Sequence, residues 1–549
     1  MFSLAVLIGI YSYIIFGLGI LGLIFKPIII LATIVWILVC FYCFRKPLAN
    51  FLNTIKNESK FIKIYPKQLI IRIKKNKITS LLLFLLILQM LVNLIGVFGP
   101  EISFDALWYH LTLPTLYLLA NSVFHIPGGL LYYSDMPKLT EMLYLGGLTF
   151  GSETIAKLIH FTFGVLVLIS IYKISGKFLP KKYSLISALI FYSSLVVGWE
   201  SIAAYVDLSR TFFELMTLWG FLNWIEKKNF RWLLISGLML GLAIAAKLIA
   251  VESLIIFLGL FVYEAYLKKT EIRMLIKNYS VFTLTAIIVP LPWFIFSFLN
   301  TGNPFYPYFG KLAVDSGQSF SIPNFSFILR DFYNLFLNLS DPISPLYLIL
   351  LPLILISLRK SEFRIKLFAI YTFLAVLIWY LTLEARGGRF ILPYLPIFSI
   401  LASYSIYKLK NRSLRIFLII TVILVVLSSI SYRFLANSKY IPVILGKETK
   451  SQFLTKNLNF SFGDFYDIDG YFQKNIKPSD KVLLYGFHNL YYVNFPFVDS
   501  SFVKMGDKFN YIAVQNSIIP IRFSDWKQIY YNKITKVGLY SKERKIWVY

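Results

Sequence analysis

Long apolar runs separated by short basic clusters fill the first four-fifths of this 549-residue chain. Runs of roughly 17–25 apolar residues are long enough to cross a bilayer as helices. Thirteen are read, at 2–24, 27–44, 79–98, 154–172, 183–200, 205–225, 231–249, 250–267, 279–299, 344–358, 366–383, 390–407 and 415–432. Those at 344–358 and 390–407 are short and contain proline. The first run lacks a basic flank and a small-residue cleavage site, so it reads as an anchor rather than a removable signal. The pattern predicts an all-α polytopic membrane protein of about 13 transmembrane helices.

The polar positions between the runs orient the bundle. Arg45–Lys77 carries ten Lys/Arg, and Lys173–Lys182, Lys227–Arg231, Lys268–Lys277, Arg359–Lys366 and Lys408–Arg415 carry 4, 3, 4, 4 and 4. These 29 cations alternate with loops nearly free of them. Because Lys and Arg resist translocation, all six segments and the N-terminus are expected in the cytoplasm. The segments 99–153, 300–343 and everything after about 433 then lie outside. The protein is expected in the plasma (inner) membrane, as a transmembrane domain over 1–432 and a soluble outer domain over 433–549.

The last 117 residues differ in kind. They hold 17 Lys/Arg and short strand-like runs, Lys481–Gly486, Tyr511–Gln515, Lys536–Ser541 and Lys545–Tyr549, between turn-rich stretches. This predicts a small α/β domain.

Composition agrees: 58% of residues are hydrophobic and 15% charged, with a mean hydropathy of +0.69, against about a quarter charged in a soluble domain. The net charge of +28 is scattered over loops rather than gathered on one aromatic-laced face, which argues against a nucleic-acid partner. Cys40 and Cys43 lie inside the second apolar run with no further ligand nearby, so they read as apolar filling rather than a zinc site.

Charges near the membrane are costly and therefore informative. The first outer loop, 99–153, concentrates Glu101, Asp105, Asp135, Glu141 and Glu153 around a single lysine, Lys138. Residues 104–120 suggest an amphipathic interfacial helix with Asp105 in its first turn and His110 further along. Two readings of Asp105 stay open: complement to a helix dipole, or general base on a hydroxyl. Asp207, Arg210 and Glu214 fall at i, i+3 and i+7 on one helical face, either a self-neutralised set or part of a site. Lys247 has no acidic neighbour in sequence before Glu252, and Arg386 and Arg389 form a basic pair in an outer loop. Cations on the outer side suit an anionic partner such as a phosphate, or lipid headgroups. The four histidines, His110, His125, His160 and His488, show no metal-ligand spacing.

Six pieces in order, FDALWYHLTLPTLYL, DMPKLTEMLYLGG, AAYVDLSRTFFELMTLWGFLNW, RWLLISGLMLGLAIAAKLIA, TGNPFYPY and GGRFILPYLP, resemble the GT-C superfamily of polytopic glycosyltransferases. The likeness is to the family-39-type and rhizobial-lipopolysaccharide-transferase-like members, relatives of the protein O-mannosyltransferases and the lipid A aminoarabinose transferase. It runs from about 79 to 432, with a fainter echo in the outer domain. It departs in having two helices before the acidic loop, and FDALWYH where protein mannosyltransferases have a paired Asp-Glu.

The resemblance implies an inverting glycosyltransferase that takes a sugar from a polyprenyl-phosphate carrier and gives it to a lipid, glycan or protein hydroxyl. Asp105 and Asp135 would be its catalytic acids. Tyr109, His110, Glu141, Asp207, Lys247, Arg386 and Arg389 would bind substrates, the cations at the donor phosphate. Use of a divalent metal is left open. Two other classes compete: a transporter or flippase, which should show inverted repeats and mid-membrane charge, and an O-antigen polymerase or ligase, which usually sets its large loop late in the chain.

Overall fold

The computed structural model describes residues 1–64, 76–127, 129–309, 328–337, 341–359, 361–382, 387–542 and 546–549. Among these, eight helices are long and apolar enough to cross a membrane: Phe2–Ile20, Lys26–Pro47, Lys77–Phe98, Glu153–Ser175, Leu248–Lys268, Phe363–Leu381, Gly388–Lys408 and Arg412–Ser438. A ninth span is bent by 61° between Ile272–Ile288 and Leu291–Thr301, at Pro290, which has no N–H to continue the ladder.

The expected count of thirteen is therefore not reproduced. The run at 183–200 divides at Ser193 and Ser194 into helices Lys181–Tyr192 and Leu195–Glu200. The run at 205–225 is helix Asp207–Lys227, whose buried charges lower its apolarity. Those at 231–249 and 344–358 give the shorter helices Phe230–Ala246 and Leu346–Leu358.

Helix Asp207–Lys227 forms a hairpin with Phe230–Ala246 and packs on Glu153–Ser175, while Lys181–Tyr192 packs on Leu395–Lys408. Small residues allow the close crossings: a Cβ on Gly220 would meet the Ser236 Cα at 3.0 Å. Near the C-terminal end of helix Asp207–Lys227, Lys177 donates to Asn223 Oδ1 at 3.1 Å and Arg364 pairs with Glu226 at 2.7 Å. The acidic loop meets the N-terminal side of that helix, where the Asp105 N–H donates to Tyr205 Oη.

The helix expected over 104–120 forms with one interruption. Residues Ala106–His110 make one wide turn, closed by Leu111 N–H donating to the Ala106 carbonyl at 2.9 Å, before helix Thr112–Ala120 begins. Leu107, Tyr109, Leu113 and Tyr117 are buried. Helix Leu139–Thr149 then turns inward and packs on Phe2–Ile20.

The C-terminal region caps this end with a five-stranded sheet in the order β2-β1-β4-β6-β5. The strands are β1 Val482–Tyr485, β2 Phe497–Asp499, β4 Tyr511–Gln515, β5 Lys527–Asn532 and β6 Val537–Ser541, with β3 Lys508–Phe509 and β7 Trp547–Val548 paired separately. β1 runs parallel to β2 and β4. Its Leu483 faces one core while Val482 and Leu484 face the other, so both faces of the central strands are covered. Gly486, at φ +75°, ends β1 where a Cβ would lie 2.0 Å from the Gln515 carbonyl oxygen.

Candidate functional site

Four chain segments bring four charges together at the capped end. Asp207 opens helix Asp207–Lys227, and Lys247 leaves the end of Phe230–Ala246 on extended backbone. The helical hairpin sets these two ends side by side, an acid at an N-terminus and a cation at a C-terminus, as the helix dipoles favour. Lys247 Nζ lies 2.6 Å from Asp207 Oδ1. Arg389, from the short helix Gly388–Ile391, reaches Asp207 Oδ2 with Nε at 3.6 Å and Asp105 Oδ2 with Nη1 at 2.7 Å. Sequence spacing gave Lys247 no acidic partner; the fold supplies one from 40 residues away.

Asp105 does not cap a helix: no side-chain cap bond forms at the turn it begins. Its carboxylate instead takes Arg389 and accepts from Tyr109 Oη at 3.2 Å, while its N–H donates to Tyr205 Oη at 3.1 Å. Burial alone would raise its pKa. The Arg389 guanidinium, with His110 and Lys247 beyond it, outweighs burial and holds the carboxyl below its ordinary value. Tyr205 also lies under Arg389, with 4.9 Å from ring centre to guanidinium carbon.

The remaining expected residues fall nearby but in separate pairings. His110 Nδ1 meets Glu141 Oε1 at 2.8 Å, both buried. Asp135 is fully enclosed: His125 Nδ1 lies 3.0 and 2.8 Å from its two oxygens, and Ser134 Oγ donates to it at 2.8 Å. Lys138 donates to the Tyr133 and Met136 carbonyls. Burial pushes its ammonium down to about 8, against the pull of Glu141 and Asp135. Arg386 lies outside the described residues.

The helical face holding Asp207, Arg210 and Glu214 divides between two environments. Asp207 belongs to the cluster above. Arg210 donates from Nε to Glu214 Oε1 and from Nη2 to Glu252 Oε1 and Tyr394 Oη, all at 2.9 Å, and Ser253 Oγ donates to Glu214 Oε2 at 2.6 Å. This second network is sealed in the bundle.

Several residues at the site carried no individual role in the sequence reading. Glu101 Oε2 accepts from Ala204 N–H at 2.7 Å and Oε1 accepts from Ile102 and Ser103 N–H, tying the first loop to the turn that presents Tyr205. His160 Nδ1 lies 2.9 Å from the Glu200 and Ala203 carbonyls, and Nε2 accepts from Leu208 N–H at 3.1 Å, which fixes the first turn beneath Asp207. Glu101 could be found only as a polar group just past an apolar run, and His160 only as one inside the run at 154–172. The C-terminal region adds Lys450, 2.6 Å from Glu153, and Tyr492, whose hydroxyl donates to the Glu101 carbonyl at 2.9 Å.

A largely apolar groove of about 550 Å³ lies between helices Ile328–Leu337, Leu346–Leu358, Phe363–Thr382 and Leu395–Lys408. Its lining includes Ile391, on the same short helix as Arg389. Among the described residues, no group of three or more His, Cys, Asp or Glu side chains is arranged to hold a metal ion.

A family model described as dolichyl-phosphate-mannose-protein mannosyltransferase matches residues 144–296, a stretch that includes Asp207 and Lys247. No curated protein sequence matches the chain. Among solved structures, ArnT from Cupriavidus metallidurans bound to undecaprenyl phosphate is similar with a TM-score of 0.59 at 12% identity, over 84% of this chain and 98% of that one. The apo state of the same protein gives 0.58 at 12% identity over the same shares. The apo oligosaccharyltransferase of Archaeoglobus fulgidus is a more distant likeness, at 0.42 and 13% identity over 75% of this chain and 63% of its own. The chain has the GT-C fold of polytopic membrane glycosyltransferases.

Proposed function

We propose that the protein is an inverting glycosyltransferase that moves a sugar from a polyprenyl-phosphate carrier to an acceptor hydroxyl at the outer face of the plasma membrane. In this reading the N-terminus is cytoplasmic, residues 1–432 form the catalytic membrane domain, and 433–549 form an outer domain. One observation carries it: two cations, Arg389 and Lys247, are held by two carboxylates from other segments, and the short helix that carries Arg389 also lines, through Ile391, a groove that suits a lipid tail. Undecaprenyl phosphate in the similar ArnT structure gives this chemistry a precedent.

The ion pairs explain how the site waits and then works. Two cations balanced by two carboxylates spare the empty site an uncompensated charge. A donor phosphate entering with its prenyl chain along the groove competes for Arg389 and Lys247, and its gain is charge-assisted hydrogen bonding to a guanidinium. As Arg389 turns to the phosphate, Asp105 Oδ2 becomes free for the acceptor. Asp105 enters this step ionised, held so by Arg389, and once the guanidinium turns away burial raises its affinity for the hydroxyl proton.

The acceptor oxygen then bonds to the anomeric carbon, the carbon–oxygen bond to phosphate breaks on the opposite face, and the proton passes to Asp105. Negative charge gathers on the leaving lipid phosphate, where Arg389 and Lys247 stabilise it. Asp207 keeps Lys247 in place. Tyr109, with His110 and Glu141 behind it, orients the turn that carries Asp105. Asp135, with its oxygens occupied by His125 and Ser134, serves by holding the loop.

The test gives proteoliposomes radiolabelled polyprenyl-phosphate sugars and compares wild type with Asp105→Asn. Transfer to acceptor should occur in the first and fall at least about 100-fold in the second. Equal transfer by both would remove Asp105 from the chemistry. Label crossing the bilayer without transfer would favour a flippase.

A further inference from the structure

The acceptor side of the site has its own structure. Asp105 is flanked by two aromatic rings of the first loop, Phe104 next to it and Trp108 one turn on. Both meet the imidazole of His488 from the outer region, at centroid distances of 4.8 and 4.6 Å. Phe462, also from the outer region, stands edge-on to Phe104 at 5.2 Å. Tyr133 completes the group, perpendicular to Trp108 at 5.1 Å.

Two features distinguish this group from a packing seam. Phe462 is 56% exposed and Phe104 36% exposed, so ring surface remains open to an incoming molecule. The members also differ in edge chemistry. Tyr133 Oη accepts from Tyr132 Oη at 2.8 Å and His488 carries ring nitrogens, so polar groups lie beside the apolar faces. A site for an acyl chain has little use for such edges, and the groove between helices Leu346–Leu358, Phe363–Thr382 and Leu395–Lys408 is lined almost wholly by aliphatic and phenylalanine side chains.

We infer that Phe104, Trp108, Phe462 and His488, with Tyr133 at the edge, form a saccharide-binding platform that presents a sugar hydroxyl of the acceptor to Asp105. This inference rests on the transferase reading and adds the acceptor class: a glycan, free or carried on a lipid, rather than a peptide side chain. One face of a pyranose ring exposes C–H groups of positive polarity, which an aromatic face attracts through its quadrupole. Hydroxyls project from the ring edge, toward the tyrosine, the imidazole and the carboxylate. The platform draws on both the first loop and the outer region, so the acceptor ring is gripped from two sides while the donor enters from the bilayer.

The experiment measures retention of the full-length protein, in detergent and without donor, on immobilised defined mono- and oligosaccharides, with hydroxyl-bearing Ser/Thr peptides on the same surface. Wild type should be retained on a subset of the saccharides. Phe462→Ala and Phe104→Ala, both exposed positions that tolerate truncation, should each weaken that retention about fivefold or more. Ile518→Ala, at another exposed apolar position of the outer region, should leave it unchanged.

Retention on peptides in place of saccharides, no retention on any saccharide, or saccharide retention indifferent to Phe462→Ala would each overturn the platform. The two readings separate. Saccharide retention that depends on Phe462, without sugar transfer from any polyprenyl-phosphate donor, sinks the transferase and leaves the platform. Transfer without such retention does the reverse.

Discussion

Two charged clusters built from the same side-chain chemistry sit along the helix Asp207–Lys227, and they behave as opposites. The inner one is sealed: the side chains of Arg210 and Glu214 are fully buried, and three partners share the guanidinium. The outer one is ajar. Side chains of Asp105, Lys247 and Arg389 keep 14–17% of their surface accessible, where Arg210 and Glu214 keep none. A closed network of this kind fixes geometry. An open one, with charges balanced yet within reach of a ligand, can exchange partners with an anion. Ion pairs in a membrane helix therefore say little until their access to ligand is known.

The comparison is broken most forcefully at Arg389. Arg389→Met should reduce sugar transfer by about a thousandfold through loss of leaving-phosphate stabilisation, measured as initial rate with labelled donor, while thermal unfolding in detergent shifts little. A variant that unfolds instead would make the outer cluster structural. Arg210→Met should do the opposite. Leaving two buried carboxylates without their cation costs about 3–5 kcal/mol, seen as a large drop in unfolding temperature, with the surviving folded fraction still competent.

Acid sharpens the contrast further. The Asp105 carboxyl titrates below its ordinary value in the folded chain, so its ion pair adds stability above the unfolded pKa and loses it only as pH falls through the lower folded one. Transfer at limiting donor, which reports the free protein, should therefore show no Asp105 inflection between pH 5 and 7. An inflection there that vanishes in Asp105→Asn while residual activity persists would contradict the pairing with Arg389. The smallest effect is expected of Tyr394→Phe, which removes one hydroxyl from the inner network and should cost about 1 kcal/mol in unfolding free energy, with transfer unchanged.

The outer cluster was legible in the sequence through its anomalies. Asp105, Asp207, Lys247 and Arg389 are charges at the ends of apolar runs, away from the basic clusters, and all four meet. The partition of Asp207 from Arg210 was not legible, because spacing on one helix face says nothing about which neighbouring helix each residue meets. Nor was the enclosure of Asp135, whose partner His125 becomes adjacent only when the loop doubles back. In the outer region, β4 and β6 show apolar runs that announce strands. β2 has three residues, and the largely exposed β5 mixes lysine, glutamine and asparagine with tyrosines, so neither carries a periodic signal. The broken helices follow from Ser193, Ser194 and Pro290, local features that a count of apolar residues passes over.

Glu101 joins the C-terminal region to the charged cluster. Its carboxylate grips the Ala204 N–H just ahead of Tyr205 and Asp207, while its own carbonyl is held by the Tyr492 hydroxyl. The Arg389 guanidinium rests on the Tyr205 ring, so the cap supports the cluster through a single acidic residue without contributing a charge to it.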